Sequence, residues 1–327
     1  MPASEMVWLE QLPSEILQRI LSSLDTRSKL CCALLSDAWL LRCLDALPLL
    51  TDLVVVFEDE RCQLRFDFSP VDPDSGTYAL HLGLCQCADH MVMHFKQLDA
   101  IMRRVGVCVR RLVLEDNLLS CSTSVSDNFI DFFLFHCPGL HSLELESVSV
   151  RALGPGVRAR LASLRHLARV RLLDCGGGGG LLSPVDDSLV CSLARNASLS
   201  QLVLTRSNAV SDQALRSLAH HCPLLSHADF SGCPNVTAKG VIAFLRCLPA
   251  RIAQYLYLYI ENTGVDSMEL DYFLQNKDQG QATNNPLGVW KCTRLQLDIA
   301  PRAVCIQNNF HPSCFCILVY DVGLMAA

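Results

Sequence analysis

One nine-residue pattern limits the possible folds of this chain more than any other feature. Five segments, beginning at residues 109, 140, 167, 199 and 225, carry apolar residues at their first, fourth and sixth positions. Within each segment, apolar and polar residues alternate as they do in a half-buried β-strand. The starts of the segments lie 31, 27, 32 and 26 residues apart, close to the period of about 20 to 29 residues of repeats that each contribute one strand and one connecting segment. The pattern therefore predicts an α/β fold with one parallel strand in each repeat.

The segments between these strands carry the start and stop signals of helices. "VSDNFIDFFLFHCPGL" and "VSDQALRSLAHHCPLL" both place Ser-Asp before an apolar helical pattern and Cys-Pro after it. The ninth position of the repeat is expected to support the turn that leaves the strand. It is occupied in the five segments by Asn117, Val148, Cys175, Ser207 and Cys233.

Residues 220–233 raise the alternative of a zinc site, because five potential ligands lie within fourteen residues. They are His220, His221, Cys222, His227 and Cys233. Structural zinc sites use paired short spacings, and these spacings differ from them. The repeat explains the residues instead: the first two histidines occupy a last helical turn, and the two cysteines end a helix and close a turn. We expect neither a metal nor a cofactor.

Composition narrows the classes of function. The chain has 327 residues, half of them apolar, and a formal charge of −6, which gives no general case for nucleic acid. No apolar run is long enough to span a bilayer, and the N-terminal stretch has no signal-type apolar core. Eighteen cysteines are scattered along the chain. We expect reduced thiols in the cytoplasm, the nucleus or both, and no membrane partner.

Catalysis by this chain is not expected. "CGGGGGL" at 175–181 lacks the Lys and Ser/Thr of a phosphate-binding loop, and no Cys or His lies in a nucleophile motif. "RALGPGVRARLASLRHLARVR" at 151–171 contains six arginines and no acid. Two interpretations of this run stay open: a solvated helix face, or a docking patch for an acidic or phosphorylated segment.

The N-terminal region predicts three short helices. "LPSEILQRILSSL" at 12–24 places apolar residues on one helical stripe, with Pro13 in the first turn. Two further helical segments follow, "KLCCALL" and "DAWLLRCLDAL". A module of about forty residues has a marginal core of its own. We therefore expect it to dock on the repeats or to offer apolar surface to a partner.

These motifs resemble those of a known family. The N-terminal pattern, with Leu30, Leu34 and Trp39, is similar to an F-box over residues 8–48, and "FSGCPNVTAKGV" resembles the cysteine-containing leucine-rich repeats of F-box proteins. The resemblance implies a curved solenoid over 49–300, clearest at 109–247, with a parallel concave sheet and convex helices. "RIAQYLYLYIENTG" fits a further repeat with Leu256 and Leu258 inward, and "CTRLQLDI" another strand. Residues 301–327 form a tail to which we assign no structure.

The same resemblance implies a function. F-box/leucine-rich-repeat proteins are substrate-recognition subunits of SCF-type ubiquitin ligases, whose Skp-type adaptor and cullin scaffold would be the partners here. The protein substrate is not readable from the sequence. A repeat scaffold that binds proteins without any ligase role is the alternative. The adaptor-binding residues that the resemblance implies are Leu12, Pro13, Ile16, Leu17, Ile20, Leu21 and Leu30.

The predicted substrate site lies on the strands. Residues between the inward apolar positions point to the opposite face of the sheet, so positions three and five form a strip of mixed charge. The candidate substrate-binding residues are Arg111, Val113, Glu144, Arg169, Arg171, Val203, His227 and Asp229.

Overall fold

The computed structural model describes a large part of the chain. The described residues are 12–24, 28–29, 32, 39, 42–43, 50–58, 65–72, 77–85, 88–116, 127–148, 153–175, 185–246, 255–260, 263–265, 269, 295–296 and 316–320. The chain divides into two compact units, one of residues 1–119 and 135–139 and the other of residues 120–134 and 140–327. Elements of the first unit are α1 (Ser14–Ser23), β1 (Leu50–Glu58), β2 (Arg65–Asp72), β3 (Thr77–Cys85), α2 (Ala88–Val105) and β4 (Arg111–Asp116).

The strands of the first unit form a mixed sheet in the order β2-β3-β1-β4. Strand β1 runs parallel to both β3 and β4, whereas β2 pairs with β3 in the antiparallel direction. Leu53, Val55 and Phe57 are buried, and the residues between them are half-buried, as the two-residue period of a strand requires. The sheet therefore buries one side chain in two from Leu53 to Phe57.

In the second unit, helices and strands alternate from residue 127 to residue 259. The elements are α3 (Asp127–His136, whose last two residues belong to the first unit), β5 (Ser142–Glu146), α4 (Pro155–Ser163), β6 (Arg169–Leu173), α5 (Asp187–Ala194), β7 (Gln201–Leu204), α6 (Asp212–His221), β8 (His227–Asp229), α7 (Ala238–Arg246), β9 (Tyr255–Tyr259), β10 (Leu295–Gln296) and β11 (Cys316–Tyr320). Strands β5 to β9 pair in parallel, in chain order. The predicted α/β fold with a mostly parallel sheet is confirmed, and it is compatible with a solenoid-like arrangement.

The repeat positions are buried as the pattern predicts. The first, fourth and sixth residues of all five segments are buried in the core: Val109, Leu112, Leu114, Leu140, Leu143, Leu145, Leu167, Val170, Leu172, Leu199, Leu202, Leu204, Leu225, Ala228 and Phe230. The ninth position is also buried wherever the structure describes it. There the Cys175 and Cys233 thiols donate to the sixth-position carbonyls of the preceding segments, Leu145 and Leu204.

A left-handed residue at the eighth position ends each strand of these repeats from the second segment to the fifth. Ser147, Asp174, Arg206 and Gly232 have φ values of 55°, 52°, 54° and 74°. Glycine adopts this conformation without steric cost, whereas the three other residues pay for the close approach of Cβ to their own backbone. The turn into the connecting segment therefore has one backbone geometry, whichever residue occupies it.

Carboxylates connect successive helices of the second unit. The backbone N–H and hydroxyl of Ser211 donate to Asp187 at 2.7 and 2.5 Å. One repeat later, the same two groups of Thr237 donate to Asp212 at 2.8 and 2.7 Å. Each aspartate begins its own helix and satisfies donors at the start of the next one, where a helix leaves N–H groups unpaired.

The C-terminal strands interrupt the parallel order. Strand β11 pairs with β9 in the antiparallel direction and with β10 on its other side. The strand expected near residue 292 is present as β10, and the tail to which no structure was assigned contains β11. Among the helices that the structure describes, none is both long and apolar enough to cross a membrane.

Candidate functional site

Strands β5 to β9 present a row of mostly polar side chains, which we call the polar strand face. It consists of the residues at the third and fifth positions of the nine-residue repeat, together with the residues of β9 that align with them. Adjacent strands align Ser142 with Arg169, Arg169 with Gln201, Gln201 with His227, and His227 with Tyr257. The fifth positions follow the same register: Glu144, Arg171, Val203, Asp229 and Tyr259. Parallel strands in register thus bring residues distant in sequence onto one face of the sheet, on which Ser142 is buried.

The positive charge of the polar strand face lies on β6. The Arg171 guanidinium is 3.6 Å from the Glu144 carboxylate, and the arginine side chain stays 45% exposed. Arg169 is exposed two residues earlier on the same strand. Its guanidinium forms no hydrogen bond or ion pair with any residue that the structure describes. Among the described residues, therefore, nothing neutralises the charge of Arg169.

The opposite end of the face is aromatic and acidic. The His227 ring lies 5.1 Å from the Tyr259 ring and 6.3 Å from the Tyr257 ring, measured between centroids. Asp229 accepts a hydrogen bond from the Ser231 backbone N–H at 2.9 Å. Burial lowers the pKa of His227, and its attraction to Asp229 opposes that shift. The imidazole is therefore disposed to be neutral at physiological pH.

The predicted substrate-binding residues lie in both units, and most of them belong to the second. Glu144, Arg169, Arg171, Val203, His227 and Asp229 share the polar strand face of the second unit. Arg111 is exposed on β4 in the first unit, 3.4 Å from the buried Asp52 carboxylate. Val113 is 3% exposed. The alternation rule places Val113 on the surface, and its burial removes it from the set of accessible residues.

Two tyrosines of this face were missing from the prediction. "YLYLY" was fitted with Leu256 and Leu258 inward, and Leu258 is indeed buried. In the sheet, however, Leu258 aligns with Ala228 at the fourth repeat position, and the buried Ile260 follows two residues later. Tyr257 and Tyr259 therefore occupy the third and fifth positions. The signal was the alternation of Tyr and Leu, but alternation does not determine register along the strand.

The arginine-rich run divides into two groups. Arg160 binds the Asp131 carboxylate through two hydrogen bonds of 2.5 and 3.1 Å, an arrangement that raises its pKa. Arg158 donates to Asp186 at 3.0 Å and to the Leu153 carbonyl at 2.5 Å. These two side chains link helices to neighbouring segments. Among the described arginines of the run, the exposed Arg165 and the two strand residues Arg169 and Arg171 remain as candidates for binding an acidic partner.

The N-terminal helix α1 splits its predicted stripe between interior and surface. Leu17 and Leu21 are each 1% exposed, whereas Ile16 and Ile20 are 47% and 39% exposed. Pro13 is exposed and Leu12 is half-buried; Leu30 lies outside the described residues. The accessible apolar surface of α1 is therefore narrower than predicted. It consists of Pro13, Ile16 and Ile20, which we call the α1 surface.

The Cys and His residues at 220–233 point in different directions. His220 and His221 are exposed in the last turn of α6, whereas Cys222 and Cys233 are buried. The Cys222 thiol donates to the Ala194 carbonyl at 3.5 Å, in the manner of Cys175 and Cys233. Among the residues that the structure describes, no three His, Cys, Asp or Glu side chains are grouped to hold a metal ion.

A serine–histidine contact on the edge strand was not anticipated from the sequence. The Ser69 hydroxyl and His81 Nε2 are 2.7 Å apart, across the antiparallel pair β2 and β3. A nucleophilic triad needs a carboxylate that orients the imidazole. Asp67 is the carboxylate opposite His81, and it is hydrogen-bonded to the Phe68 backbone N–H at 2.7 Å instead. The contact joins the edge strand to its neighbour, and we assign it no chemistry.

Comparison with known proteins adds no identification. A scan against protein-family models matches none of them, and a search of the curated proteins finds no match either.

Proposed function

We propose that this chain is the substrate-recognition subunit of an SCF-type ubiquitin ligase. Its N-terminal helical segment acts as an F-box that binds a Skp-type adaptor, and its strand–helix repeats are leucine-rich repeats that bind the protein substrate. The chain itself carries no catalytic step. It holds the substrate near a charged ubiquitin-conjugating enzyme, where a high effective concentration speeds transfer to a lysine.

The α1 surface is the observation that carries the proposal. Two isoleucines, Ile16 and Ile20, are exposed on adjacent turns of one helix, next to the exposed Pro13. Because these side chains are only 47% and 39% exposed, burying the remainder contributes about 1 to 3 kcal/mol before the costs of association. That is a part of an interface rather than a whole one, so the adaptor would also contact residues outside α1.

The repeats support the second half of the proposal. All fifteen apolar positions of the pattern are buried, so the alternating positions are free to vary without loss of the core. A row of variable side chains across parallel strands is well suited to binding another protein. The polar strand face carries arginine and tyrosine, two residue types that are enriched at protein interfaces, together with acidic groups of the kind found at the polar rim.

A repeat scaffold without a ligase role remains the second candidate. The burial of Leu17 and Leu21 favours it, because half of the stripe on α1 already packs inside the chain. In that case α1 would serve the stability of its own unit. The two candidates differ in a single property, capture of the adaptor and cullin.

Copurification of the full chain with a Skp-type adaptor and a cullin tests the proposal. We expect Ile16→Asp to abolish capture, because a charge would be buried unpaired at the interface. Gln18→Asp is the matched control, since it adds the same charge at an exposed position of the same helix. Circular dichroism establishes that both variants fold. Equal adaptor capture by the Ile16→Asp variant and the wild-type chain would reject the F-box assignment.

A further inference from the structure

The positions of Arg169 and Asp229 on the polar strand face determine which charges a ligand needs and how far apart they must be. Arg169 aligns with two uncharged neighbours, Ser142 and Gln201. Asp229 likewise aligns with uncharged residues on both sides, Val203 and Tyr259. On the adjacent strands, therefore, no residue of opposite charge is aligned with Arg169 or with Asp229. Arg171 and Glu144 form an ion pair of 3.6 Å on the same face. Apart from that pair, the face presents one positive group, Arg169, and one negative group, Asp229, with neutral side chains between them.

The register sets the distance between these two groups. Arg169 and Asp229 are two strands and two residues apart. Strands lie about 4.8 Å apart and rise about 3.3 Å per residue, which places the two Cα positions roughly 12 Å from each other. The diagonal crosses β7 between Gln201 and Val203, where no charge intervenes.

An extended polypeptide matches this distance at one spacing. Residues four apart in an extended chain are separated by about 13 Å, and their side chains point to the same side. Residues three apart point to opposite sides, and residues two apart span only about 7 Å. A segment with an acidic and a basic residue four positions apart could therefore reach both groups at once.

The aromatic end strengthens the preference for a base beside Asp229. Tyr259 is the strand neighbour of Asp229, and the His227 ring lies 5.1 Å from the Tyr259 ring. A Lys or Arg side chain near such rings gains cation–π attraction in addition to its contact with a carboxylate. At the other end, an arginine binds a carboxylate through charge-assisted hydrogen bonds.

We infer that the polar strand face binds an extended peptide segment in which an acidic and a basic side chain, four residues apart, meet Arg169 and Asp229. This inference rests on the proposed function, because the bound segment is taken to belong to the substrate. The binding itself does not involve the adaptor. The third residue of such a segment lies above Gln201 and Val203.

Selection from a peptide library by the full chain tests the inference. The probe is a displayed library of nine-residue peptides with randomised central positions, and the readout is the frequency of charge pairs at each spacing. The wild-type chain is expected to enrich opposite charges four residues apart at least tenfold over like charges at that spacing. Opposite charges three residues apart should not be enriched.

Charge reversals in the protein make the test specific. Arg169→Glu with Arg171→Glu makes both ends negative, so selection should change to two bases. Asp229→Lys makes both ends positive, so selection should change to two acids. Combining all three substitutions reverses the polarity of the face and should restore opposite charges, because the peptide can bind in the reverse direction.

A matched control separates the site from general charge effects. Arg195→Glu with Arg216→Glu reverses two exposed arginines outside the strands and should leave the selected charge pairs unchanged. If a reversal variant fails to fold, Arg169→Gln and Asp229→Asn should each abolish the charge preference at one end. An unchanged preference in folded variants, or no enrichment by the wild-type chain, would overturn the inference. Adaptor capture measured separately shows whether the proposed function stands or fails independently.

Discussion

Replacing Gly240 by alanine should destabilise the second unit, although alanine is the better helix former. Gly240 is the third residue of α7, and a Cβ there would lie 2.2 Å from the Asp212 Oδ1 atom. Contacts below 3.0 Å do not occur, so the carboxylate would have to move. Moving it breaks the two hydrogen bonds that it accepts from Thr237.

The net effect follows from two opposing terms. Hydrogen bonds to charged groups contribute about 1.5 to 3 kcal/mol each, and partial exposure reduces the loss of both to roughly 2 to 3 kcal/mol. The higher helix propensity of alanine returns about 0.5 to 1 kcal/mol. Gly240→Ala should therefore lower the free energy of unfolding by about 1 to 2.5 kcal/mol, since the hydrogen-bond term is larger.

A double-mutant cycle isolates this mechanism. Asp212→Ala should cost roughly 2 to 3 kcal/mol by itself, because the same two hydrogen bonds are lost. In that background Gly240→Ala has no carboxylate to displace, and only the Asp212 Cβ contact of 2.9 Å remains to be relaxed. The second substitution should then be nearly neutral or stabilising, which gives a coupling energy of about 2 kcal/mol.

Urea unfolding of the full chain, followed by circular dichroism, measures these differences at constant m-value. Gly156→Ala is the matched control, because Gly156 lies in the first turn of α4 with no atom within 4 Å of the added Cβ. It should be neutral or stabilising. The reasoning is refuted if Gly240→Ala stabilises the wild-type chain as much as Gly156→Ala does.

Four further outcomes are expected. Burial raises the pKa of the Cys175 thiol to about 12. Alkylation of the folded protein at pH 8 should therefore label Cys175 at least tenfold more slowly than the exposed Cys108. Mass spectrometry measures the two labelling rates. Ser147 and Gly232 both have positive φ. Ser147→Gly should therefore raise the free energy of unfolding by about 0.5 to 1 kcal/mol, and Gly232→Ala should lower it by about 1 to 2 kcal/mol. Denaturation midpoints measure both changes. Burial lowers the pKa of His227 below its ordinary value of 6.5, so its contribution to stability is present above that pH and is lost as the pH falls. His227→Asn should flatten the decline in stability between pH 7 and pH 5, and an unchanged slope would contradict this.

Local pattern was enough to predict the strand–helix order. Alternation identified β4 to β8, and the Ser-Asp and Cys-Pro signals located α3 and α6. The Ser211 hydroxyl accepts the Gln213 N–H at the start of α6, as a helix cap does. These features depend on neighbouring residues only, so their physical cause is visible in the chain itself.

The candidate site required more than local pattern. Arg169 and Arg171 were predicted on the exposed strand face because alternation along one strand places them there. Tyr257 and Tyr259 were missed because their place depends on how β9 aligns with β8. A shift of two residues keeps the same side chains inward and changes all their neighbours.

The surface of α1 shows the same division between sequence and tertiary structure. The sequence determined that apolar residues share one stripe of the helix, since helical periodicity is a local property. Tertiary packing alone decided that Leu17 and Leu21 are buried while Ile16 and Ile20 are exposed. It likewise directed Arg160 to Asp131 and left Arg169 without a partner among the described residues. Burial and pairing depend on groups far away in the chain, and a one-dimensional pattern does not specify which of them meet.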